Sequence, residues 1–322
     1  MFPLERFHTI RGRRFLLKVE DSFEASDYRK YEDLRGEVWN VPEDGMSGIR
    51  NMMCENFLHE GSSLFLGAYA EDAGGGLAED AAHLAGFSYG FIGIRDKSLG
   101  YRSPENLWFY SQYTAVRPGY EGFGLGVLIK EFQRDVLLEA LGIGRVVCTY
   151  DPLTAVNARR NVGRFRMDVL EYRVATYGEF GGRLNRIDVP TDRFFMSWDL
   201  NGDAARRAEA AAGIPAAASK VFAVEERMLA ARSGRLAFEV ASGLKLERLG
   251  EFVLIPIPRD FYRMLDETAV DDPSVRRVPV DWRMTTRQAF KELFGRGYRV
   301  VDFLSGGEPP SGCAYVLRKA GG

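Results

Sequence analysis

Apolar side chains follow two different periods along the first 200 residues, and the change of period predicts alternating strands and helices. Short runs rich in β-branched and aromatic residues predict strands, whereas an apolar residue at every third or fourth position predicts a helix. The predicted strands cover residues 15–19, 63–69, 85–94, 107–116, 145–150, 169–176 and 194–200. The predicted helices contain Tyr28 to Val38, residues 49–58, the segment after Gly126, and residues 154–166.

The C-terminal part of the chain shows shorter elements. Strands are predicted at residues 236–240, 251–257, 298–304 and 314–318, and helices at residues 260–266 and 285–294. Residues 201–219 contain many alanines and almost no large apolar side chain, as is typical of a linker. We therefore predict a first domain of residues 1–200, a linker of residues 201–219 and a small α+β domain of residues 220–322.

Composition excludes several classes of partner. The 322-residue chain is 46% hydrophobic and carries a net charge of −2, which is ordinary for a globular protein. A near-neutral chain has no field that would gather nucleic acid, so we expect no nucleic-acid partner and only local phosphate recognition. Because the chain has no run of about 18 apolar residues and no apolar stretch after its basic start, we expect neither membrane insertion nor secretion, and a cytoplasmic location.

The three cysteines, Cys54, Cys148 and Cys313, lie far apart and form no CxxC pair, so we interpret them as small buried apolar residues. The three histidines are equally scattered, and no two of them have the spacing of a metal site. We therefore expect neither a metal ion nor a cysteine nucleophile.

The segment from Val116 to Gly126 reads V-R-P-G-Y-E-G-F-G-L-G and lies between a predicted strand and a predicted helix. Its glycines let the backbone approach a ligand closely. The unpaired N–H groups that open a helix, together with the helix dipole, form an anion site that suits a pyrophosphate. A dinucleotide-binding loop would need glycine where Val127 stands, and a P-loop would need a following Gly-Lys-Ser/Thr. A plain flexible turn remains the alternative.

The spacing V-x-P-x-Y-x-G-x-G-x-G after a strand resembles the acyl-CoA loop of the Gcn5-related N-acetyltransferase (GNAT) superfamily. The order of the predicted elements between residues 15 and 200 is similar to that of the superfamily throughout. A little-characterised bacterial group within it is similar at residues 149–153, Asn157, Asn161 and residues 191–193. The resemblance implies an α/β (α+β) fold, with a mixed twisted sheet flanked by helices and followed here by the small C-terminal domain.

The resemblance also implies that acetyl-CoA or another acyl-CoA is the cosubstrate. Backbone amides of the loop would bind its phosphates, and Asn157 would reach its pantetheine arm. The implied cofactor-binding residues are Val116, Glu121, Gly122, Phe123, Gly124, Leu125, Gly126 and Asn157.

Two positions depart from the family pattern. Glu121 stands where the family usually has Arg or Gln, and a carboxylate beside a pyrophosphate is unfavourable unless it points to solvent. Many members place a tyrosine that protonates the leaving thiolate where this chain has Gly163-Arg164-Phe165. Arg164 cannot supply that proton at neutral pH, because a guanidinium stays charged.

Attack of a neutral amine on a thioester needs a base, a donor for the oxyanion and an acid for the thiolate. Asp151, after a predicted strand, is the candidate that would hold or deprotonate the substrate ammonium, or else it caps the next helix. Tyr150 either protonates the thiolate or packs in the core, and Tyr177 is the other candidate acid.

Three further residues are candidates for binding the substrate. Gln112 would orient a water or a carbonyl group, or it is an ordinary residue of the sheet face. Asp192 and Arg193 would form an internal ion pair or clamp a substrate carboxylate, because the planar guanidinium fits a carboxylate. The C-terminal domain would wall the acceptor cleft or form a homodimer surface.

These features support two hypotheses. In the first, the protein is an N-acyltransferase that moves an acetyl or larger acyl group to the amine of a small metabolite such as an amino acid. In the second, it is a non-catalytic acyl-CoA-binding or sensing protein. Asp151, Tyr150 and the Asp192–Arg193 pair favour the first, whereas Glu121 and the missing tyrosine favour the second.

Overall fold

The computed structural model describes residues 3–41, 45–202, 218–306 and 312–320. The chain divides into two compact units, one of residues 1–148 with 199–201 and the other of residues 149–198 with 202–322. Most of the predicted linker, residues 203–217, lies outside the described residues, so a boundary at residues 201–219 stays a prediction. The units group residues 149–198 with the C-terminal part of the chain and not with the strands that precede them.

Strands in chain order form the sheet of the first unit: β1 (Glu5–Ile10), β2 (Arg13–Val19), β3 (Ser63–Ala70), β4 (Leu84–Ile94), β5 (Leu107–Val116) and β6 (Arg145–Tyr150). The first five strands pair antiparallel with their neighbours. β6 runs parallel to β5, with Phe109 opposite Val146, so the sheet is mixed. The helices of this unit are α1 (Arg29–Trp39), α2 (Ile49–Glu55) and α3 (Leu125–Glu139), and α3 makes the crossover that a parallel pair requires.

Packing of helices on this sheet follows from the apolar pattern. Tyr31 of α1 is fully buried and contacts the rings of Phe65 and Phe87 on β3 and β4. A side chain at Gly86 would lie 2.7 Å from the Ala115 carbonyl oxygen and 3.0 Å from Ile129 of α3. Glycine at this position therefore lets α3 approach the sheet closely.

A buried group of charged and phenolic side chains, here called the Glu20 cluster, consists of Glu20, Lys30, Tyr31 and Tyr69. Lys30 Nζ lies 2.7 Å from Glu20 Oε2, and the Tyr31 hydroxyl donates to the same oxygen at 2.9 Å. Lys30 also donates to the backbone oxygen of Glu79 at 2.8 Å. Each of the four side chains is at most 7% exposed, and none has a buried nitrogen or oxygen without a partner in the described structure.

The second unit begins at Thr149, so it includes the last two residues of β6, and it contains shorter elements. Its helices are α4 (Ala155–Ala158), which runs into a π-helical turn (Arg159–Arg164), α5 (Phe261–Glu267), α6 (Pro273–Arg276) and α7 (Val278–Gly295). Its strands are β7 (Asp168–Arg173), β8 (Arg193–Asp199), β9 (Ser219–Lys220), β10 (Ala223–Ala231), β11 (Gly234–Ser242), β12 (Phe252–Pro256), β13 (Tyr298–Ser305) and β14 (Cys313–Lys319). β7 pairs with β8, β10 forms a hairpin with β11, and the order β13-β14-β12-β9 describes a further sheet.

The core of the second unit joins segments that are distant in the sequence. Phe194 of β8 is fully buried, and its ring centroid lies 4.8 Å from Phe290 of α7 and 5.4 Å from Tyr315 of β14. Tyr150 packs against the same phenylalanine at 5.8 Å. These contacts explain why residues 149–198 fold with the C-terminal part.

The fold class predicted from the sequence is confirmed: a mixed sheet is flanked by helices, and a further sheet lies in the C-terminal part. Strands β5 and β6 have the predicted bounds. Among the described residues, no helix is long and apolar enough to cross a membrane.

Several local predictions were wrong. α7 begins at Val278 and not at residue 285, because Pro279 stands in the first turn, where a helix tolerates proline. The predicted helix at 154–166 changes to π geometry, in which Phe165 N–H donates to the Arg160 carbonyl. Cys54 is exposed, whereas the other two cysteines are buried as expected.

Candidate active site

The glycine loop connects β5 to α3 through three glycines in the left-handed region. Gly119, Gly122 and Gly124 have φ angles of 92°, 80° and 76°. A Cβ atom at any of them would meet no heavy atom within 4 Å, so backbone conformation and not lack of space selects glycine here. Gly124 caps α3, and its carbonyl oxygen accepts from the Val127 N–H at 2.9 Å, so helix geometry leaves the N–H groups of Leu125 and Gly126 as the first-turn donors for a ligand.

Aromatic contacts hold the loop on the sheet. Phe15 of β2 is fully buried, and its ring centroid lies 5.8 Å from Phe123 and 6.3 Å from Tyr120. Leu125 is also buried, so its side chain belongs to the core and only its backbone is available to a ligand. Val116 ends β5 opposite Gly86. The residues predicted to bind the cofactor from this segment therefore form one anchored loop.

Charged side chains near the loop are of both signs. Glu121 is exposed, and its carboxylate accepts a hydrogen bond from the Gly119 N–H at 2.5 Å, so it folds back on the loop. Arg11 lies over the Phe123 ring at 5.3 Å, and Arg13 lies over the Tyr120 ring at 5.6 Å. Our sequence reasoning did not select these arginines, although the string Arg11-Gly12-Arg13-Arg14 is a visible basic turn.

Gln112 is exposed at a β-bulge in β5. Tyr89 of β4 pairs with Tyr113 and Gly90 pairs with Ser111, so Gln112 is the extra residue between them. A bulge turns a side chain away from the regular sheet face and often lies beside an active site. Gln112 therefore does not occupy an ordinary position on the sheet face, which was the alternative predicted from the sequence.

Asp151 lies in the turn between β6 and α4 and contacts two arginines. Its carboxylate accepts a hydrogen bond from the Leu153 N–H at 2.9 Å and forms ion pairs with Arg283 and, at 3.5 Å, with Arg193. The N-cap of α4 is Thr154 and not Asp151. Asp151 is therefore not the helix cap, and its carboxylate instead stabilises the turn that precedes the cap.

Tyr150 is buried, and its hydroxyl lies 2.9 Å from the Tyr315 hydroxyl. Tyr315 donates its only hydroxyl proton to the Pro152 carbonyl at 2.8 Å, so Tyr150 must donate to Tyr315. These two hydrogen bonds direct the Tyr150 proton into the protein interior, which favours the packing role of Tyr150.

Tyr177 is 47% exposed, and its hydroxyl lies 2.6 Å from Thr149 Oγ1. The Arg193 guanidinium lies over its ring at 5.2 Å. Of the two tyrosines predicted as acids, only Tyr177 has a hydroxyl at the protein surface.

Asp192 and Arg193 do not pair with each other through their side chains. Arg287 donates to the Asp192 carboxylate with two nitrogens, at 2.8 and 2.7 Å, and the Tyr172 hydroxyl donates to it at 2.7 Å. Burial opposes the charge of Asp192, but the hydrogen bonds from Arg287 and Tyr172 outweigh burial and lower its pKa. Arg193 instead donates to the backbone oxygen of Asp192 at 2.9 Å.

Asn157 uses its side chain within the protein. Its amide nitrogen donates to Thr154 Oγ1 at 3.0 Å, and its amide oxygen accepts from Arg160 at 2.8 Å. Tyr262 is a further neighbour, and burial raises the pKa of this tyrosine to about 12. Contact of Asn157 with a pantetheine arm stays a prediction.

The second unit therefore contains a group of buried and partly buried charges, here called the arginine cluster: Asp151, Asp192, Arg193, Arg283 and Arg287. Arg283 was not predicted as a site residue, although the sequence places it between the core residues Trp282 and Thr286 of one helix. A charged residue in the buried row of a helix is the signal that could have found it. No group of His, Cys, Asp and Glu that could hold a metal ion occurs within the described ranges.

The sequence matches no protein-family model and no curated protein. Solved structures similar to it include Arabidopsis thaliana NAA60 in complex with acetyl-CoA, at 11% identity over 57% of this chain and 99% of that chain, with a TM-score of 0.42. The ribosomal-protein-S18-alanine N-acetyltransferase from Escherichia coli is 14% identical over 58% of this chain and 96% of that chain, with a TM-score of 0.39.

A third similar structure is an acetyltransferase of the GNAT family from Streptococcus pneumoniae. It is 12% identical over 56% of this chain and 97% of that chain, with a TM-score of 0.40.

Proposed function

We propose that this protein transfers an acetyl or larger acyl group from acyl-CoA to the amine of a small metabolite, by direct attack of the amine on the thioester. The observation that carries the proposal is the glycine loop. Its three left-handed glycines lead directly into the N-terminus of α3, where the N–H groups of Leu125 and Gly126 precede the first helical hydrogen bond, and such a turn into a helix binds a pyrophosphate through the backbone.

Backbone binding explains how the loop tolerates Glu121. The carboxylate bonds to the Gly119 N–H, so it occupies a donor before α3 and leaves the first turn of the helix available. The aromatic anchors to Phe15 hold the loop in place, which lowers the entropy lost when a ligand binds.

The proposed chemistry assigns one role to each group. Asp151 holds or deprotonates the acceptor ammonium, Gln112 orients a water or a carbonyl from its bulge, and Tyr177 protonates the departing thiolate. Tyr150 is the weaker candidate acid, because its proton is already directed to Tyr315. Arg193 sits beside both Asp151 and Tyr177, where it is available to an acidic group of the acceptor.

A second candidate function is non-catalytic acyl-CoA binding or sensing. It is favoured by the turned-back Glu121 carboxylate and by Arg164, which stands where the family places an acidic tyrosine. The two candidates share the loop and differ in whether thiol is released.

Thermal unfolding with coenzyme A tests the loop. Binding to the native state alone stabilises a protein by about 2.7 kcal/mol when the ligand is at 100 times its Kd. Gly124→Asp should abolish this shift, because the added carboxylate repels the phosphates. Gly100→Asp is the matched control, since Gly100 also has positive φ and open space at its Cβ position.

The control should keep the full shift despite the same backbone strain. An equal thermal shift with coenzyme A in both variants would show that the glycine loop is not part of the coenzyme A site. Thiol release from acyl-CoAs of several chain lengths, with a panel of small amines, then separates the enzyme from the binding protein.

A further inference from the structure

Arg283 is a buried arginine in the middle of α7. Its side chain is 1% exposed, and its guanidinium lies 5.4 Å from the centre of the Phe261 ring. Its Nη2 atom binds the Asp151 carboxylate. Placing a guanidinium at such a site removes it from water, which is costly unless its donors find acceptors.

Two of its nitrogens have no acceptor. Nε and Nη1 of Arg283 are shielded from solvent and lack a hydrogen-bond partner among the residues that the structure describes. A buried donor without a partner costs about 1–3 kcal/mol, and more when it belongs to a charged group. Native proteins keep few such groups, so each needs an explanation.

Burial alone does not explain the unused donors. Arg186 of the same unit is 9% exposed, yet each of its three nitrogens has a partner. Nε donates to Asp188 at 2.6 Å, Nη1 donates to Thr268 at 2.9 Å, and Nη2 donates to the Arg276 carbonyl. The same unit can therefore give every nitrogen of a buried arginine a partner.

The arginine cluster also has an excess of positive charge. Three arginines face two aspartates, Asp151 and Asp192. Tyr172 does not supply the missing negative charge, because burial raises its pKa far above neutral pH. The cluster thus carries one positive charge in excess. A carboxylate would match it, whereas a phosphate dianion would leave an excess of negative charge.

We propose that Arg283 binds the carboxylate of a small ligand, and that the ligand is an amino acid. This proposal rests on the proposed function in one respect: the amino group of the same ligand, which attacks as the neutral amine, would be the acyl acceptor beside Asp151. The guanidinium lies over the ring of Phe261, a contact that uses none of its N–H donors in a hydrogen bond and leaves Nε and Nη1 for the carboxylate.

Calorimetry on the full chain tests the proposal without acyl-CoA. The probes are the common L-amino acids, each compared with its α-carboxamide, which keeps the amine and loses the carboxylate charge. At least one free amino acid should bind about tenfold to a hundredfold more tightly than its amide, the value of a hydrogen bond to a charged group. Inorganic phosphate should bind more weakly than that amino acid.

Two lysine variants separate recognition from burial. Arg283→Lys keeps the charge beside Asp151 but loses the fork of donors, so the preference for the carboxylate should fall by about tenfold or more. Arg186→Lys is the matched control and should keep the preference.

Equal binding of every acid and its amide by the native chain would overturn the proposal, whatever the variants do. Tighter binding of phosphate would overturn it as well. Failure of the proposed function is distinguishable, because Gly124→Asp should abolish the coenzyme A shift and leave amino-acid binding unchanged. Amino-acid binding without thiol release would contradict the proposed acyltransferase activity but would still support the carboxylate site at Arg283.

Discussion

The Glu20 cluster lies in one compact unit and the arginine cluster in the other, and the two clusters differ in how completely their side chains are hydrogen-bonded. In the Glu20 cluster, one lysine matches one glutamate, and phenolic hydroxyls take the remaining hydrogen bonds. In the arginine cluster, three arginines face two aspartates, and Arg283 keeps two unused donors. The first arrangement is closed to further ligands, whereas the second needs one.

The difference suggests how to separate structural from functional buried charges. A closed cluster contributes to stability and specificity of packing, so its loss should be seen in unfolding. An open cluster keeps an unsatisfied group ready for an anion, so its loss should be seen first in binding or turnover.

The largest effect is expected for Asp151→Asn. The variant keeps an acceptor for the Leu153 N–H but removes the charge that would hold the acceptor ammonium, so turnover should fall by about 10² to 10⁴. Coenzyme A affinity should not change. Turnover is measured with the real acceptor, normalised to the folded fraction. Full activity of the variant would show that Asp151 is a structural partner of Arg283 and Arg193 only.

Lys30→Met should have the largest effect on stability. It leaves the Glu20 carboxylate buried without its cation, and breaking such a pair costs about 3–5 kcal/mol of unfolding free energy. Denaturant titration measures this loss. Lys18→Met is the control, because the carboxylates that Lys18 contacts are half-exposed and such pairs contribute about 1 kcal/mol or less.

Lys30→Met should keep its turnover per folded molecule, and it should keep its preference for an amino acid over the corresponding amide. A loss of either without a loss of stability would place the Glu20 cluster among the functional groups and remove the contrast.

The two clusters should also lose their contributions to stability at opposite ends of the pH range. The pKa of Asp192 is lowered in the folded state, so its contribution to stability is present above the usual value of 3.8 and is lost as the pH falls below it. Unfolding free energy measured from pH 6 downwards should therefore decline near pH 4. The decline should be shallower in Asp192→Asn, which cannot titrate.

At high pH the Glu20 cluster should instead lose its contribution to stability. Burial works against the charge of Lys30, but the Tyr69 and Glu20 oxygens beside the ammonium outweigh burial and raise its pKa above 10.5. Its contribution is thus present below pH 10.5 and is lost as the pH rises through the higher folded value. A stability curve of Lys30→Met that declines as steeply as that of the native chain would contradict this assignment.

The smallest effect is expected from the charges of Arg11, which is exposed, and Arg13, which is partly exposed. Replacing both Arg11 and Arg13 with Gln should weaken coenzyme A binding by about two- to fivefold at low salt, because solvent and salt screen such charges. Titration calorimetry at two salt concentrations measures the effect. Arg95 and Arg102 of the same unit are exposed, and their double Gln variant is the control.

The sequence predicted what depends on local pattern. The bounds of β5, the glycine loop and the helical positions of Tyr31 and Leu34 follow from periodicity and from the conformational freedom of glycine. β1 and β10 were missed because their exposed and half-buried residues carry a weak apolar signal. The partners of Asp151 and Asp192 could not be predicted, since Arg283 and Arg287 lie about a hundred residues away and only the tertiary fold brings them together.

The contacts of the second unit join residues on both sides of the segment 201–219. Phe194 packs on Phe290, Asp192 binds Arg287, and Tyr150 donates to Tyr315. A protease cut within that segment breaks one peptide bond and none of these contacts, so the two pieces should co-purify. Residues 1–200 and 220–322 produced as separate chains should each be incomplete and should regain coenzyme A binding only when mixed. The protein is therefore suited to fragment complementation, in which assembly of two halves reports whether its core has formed.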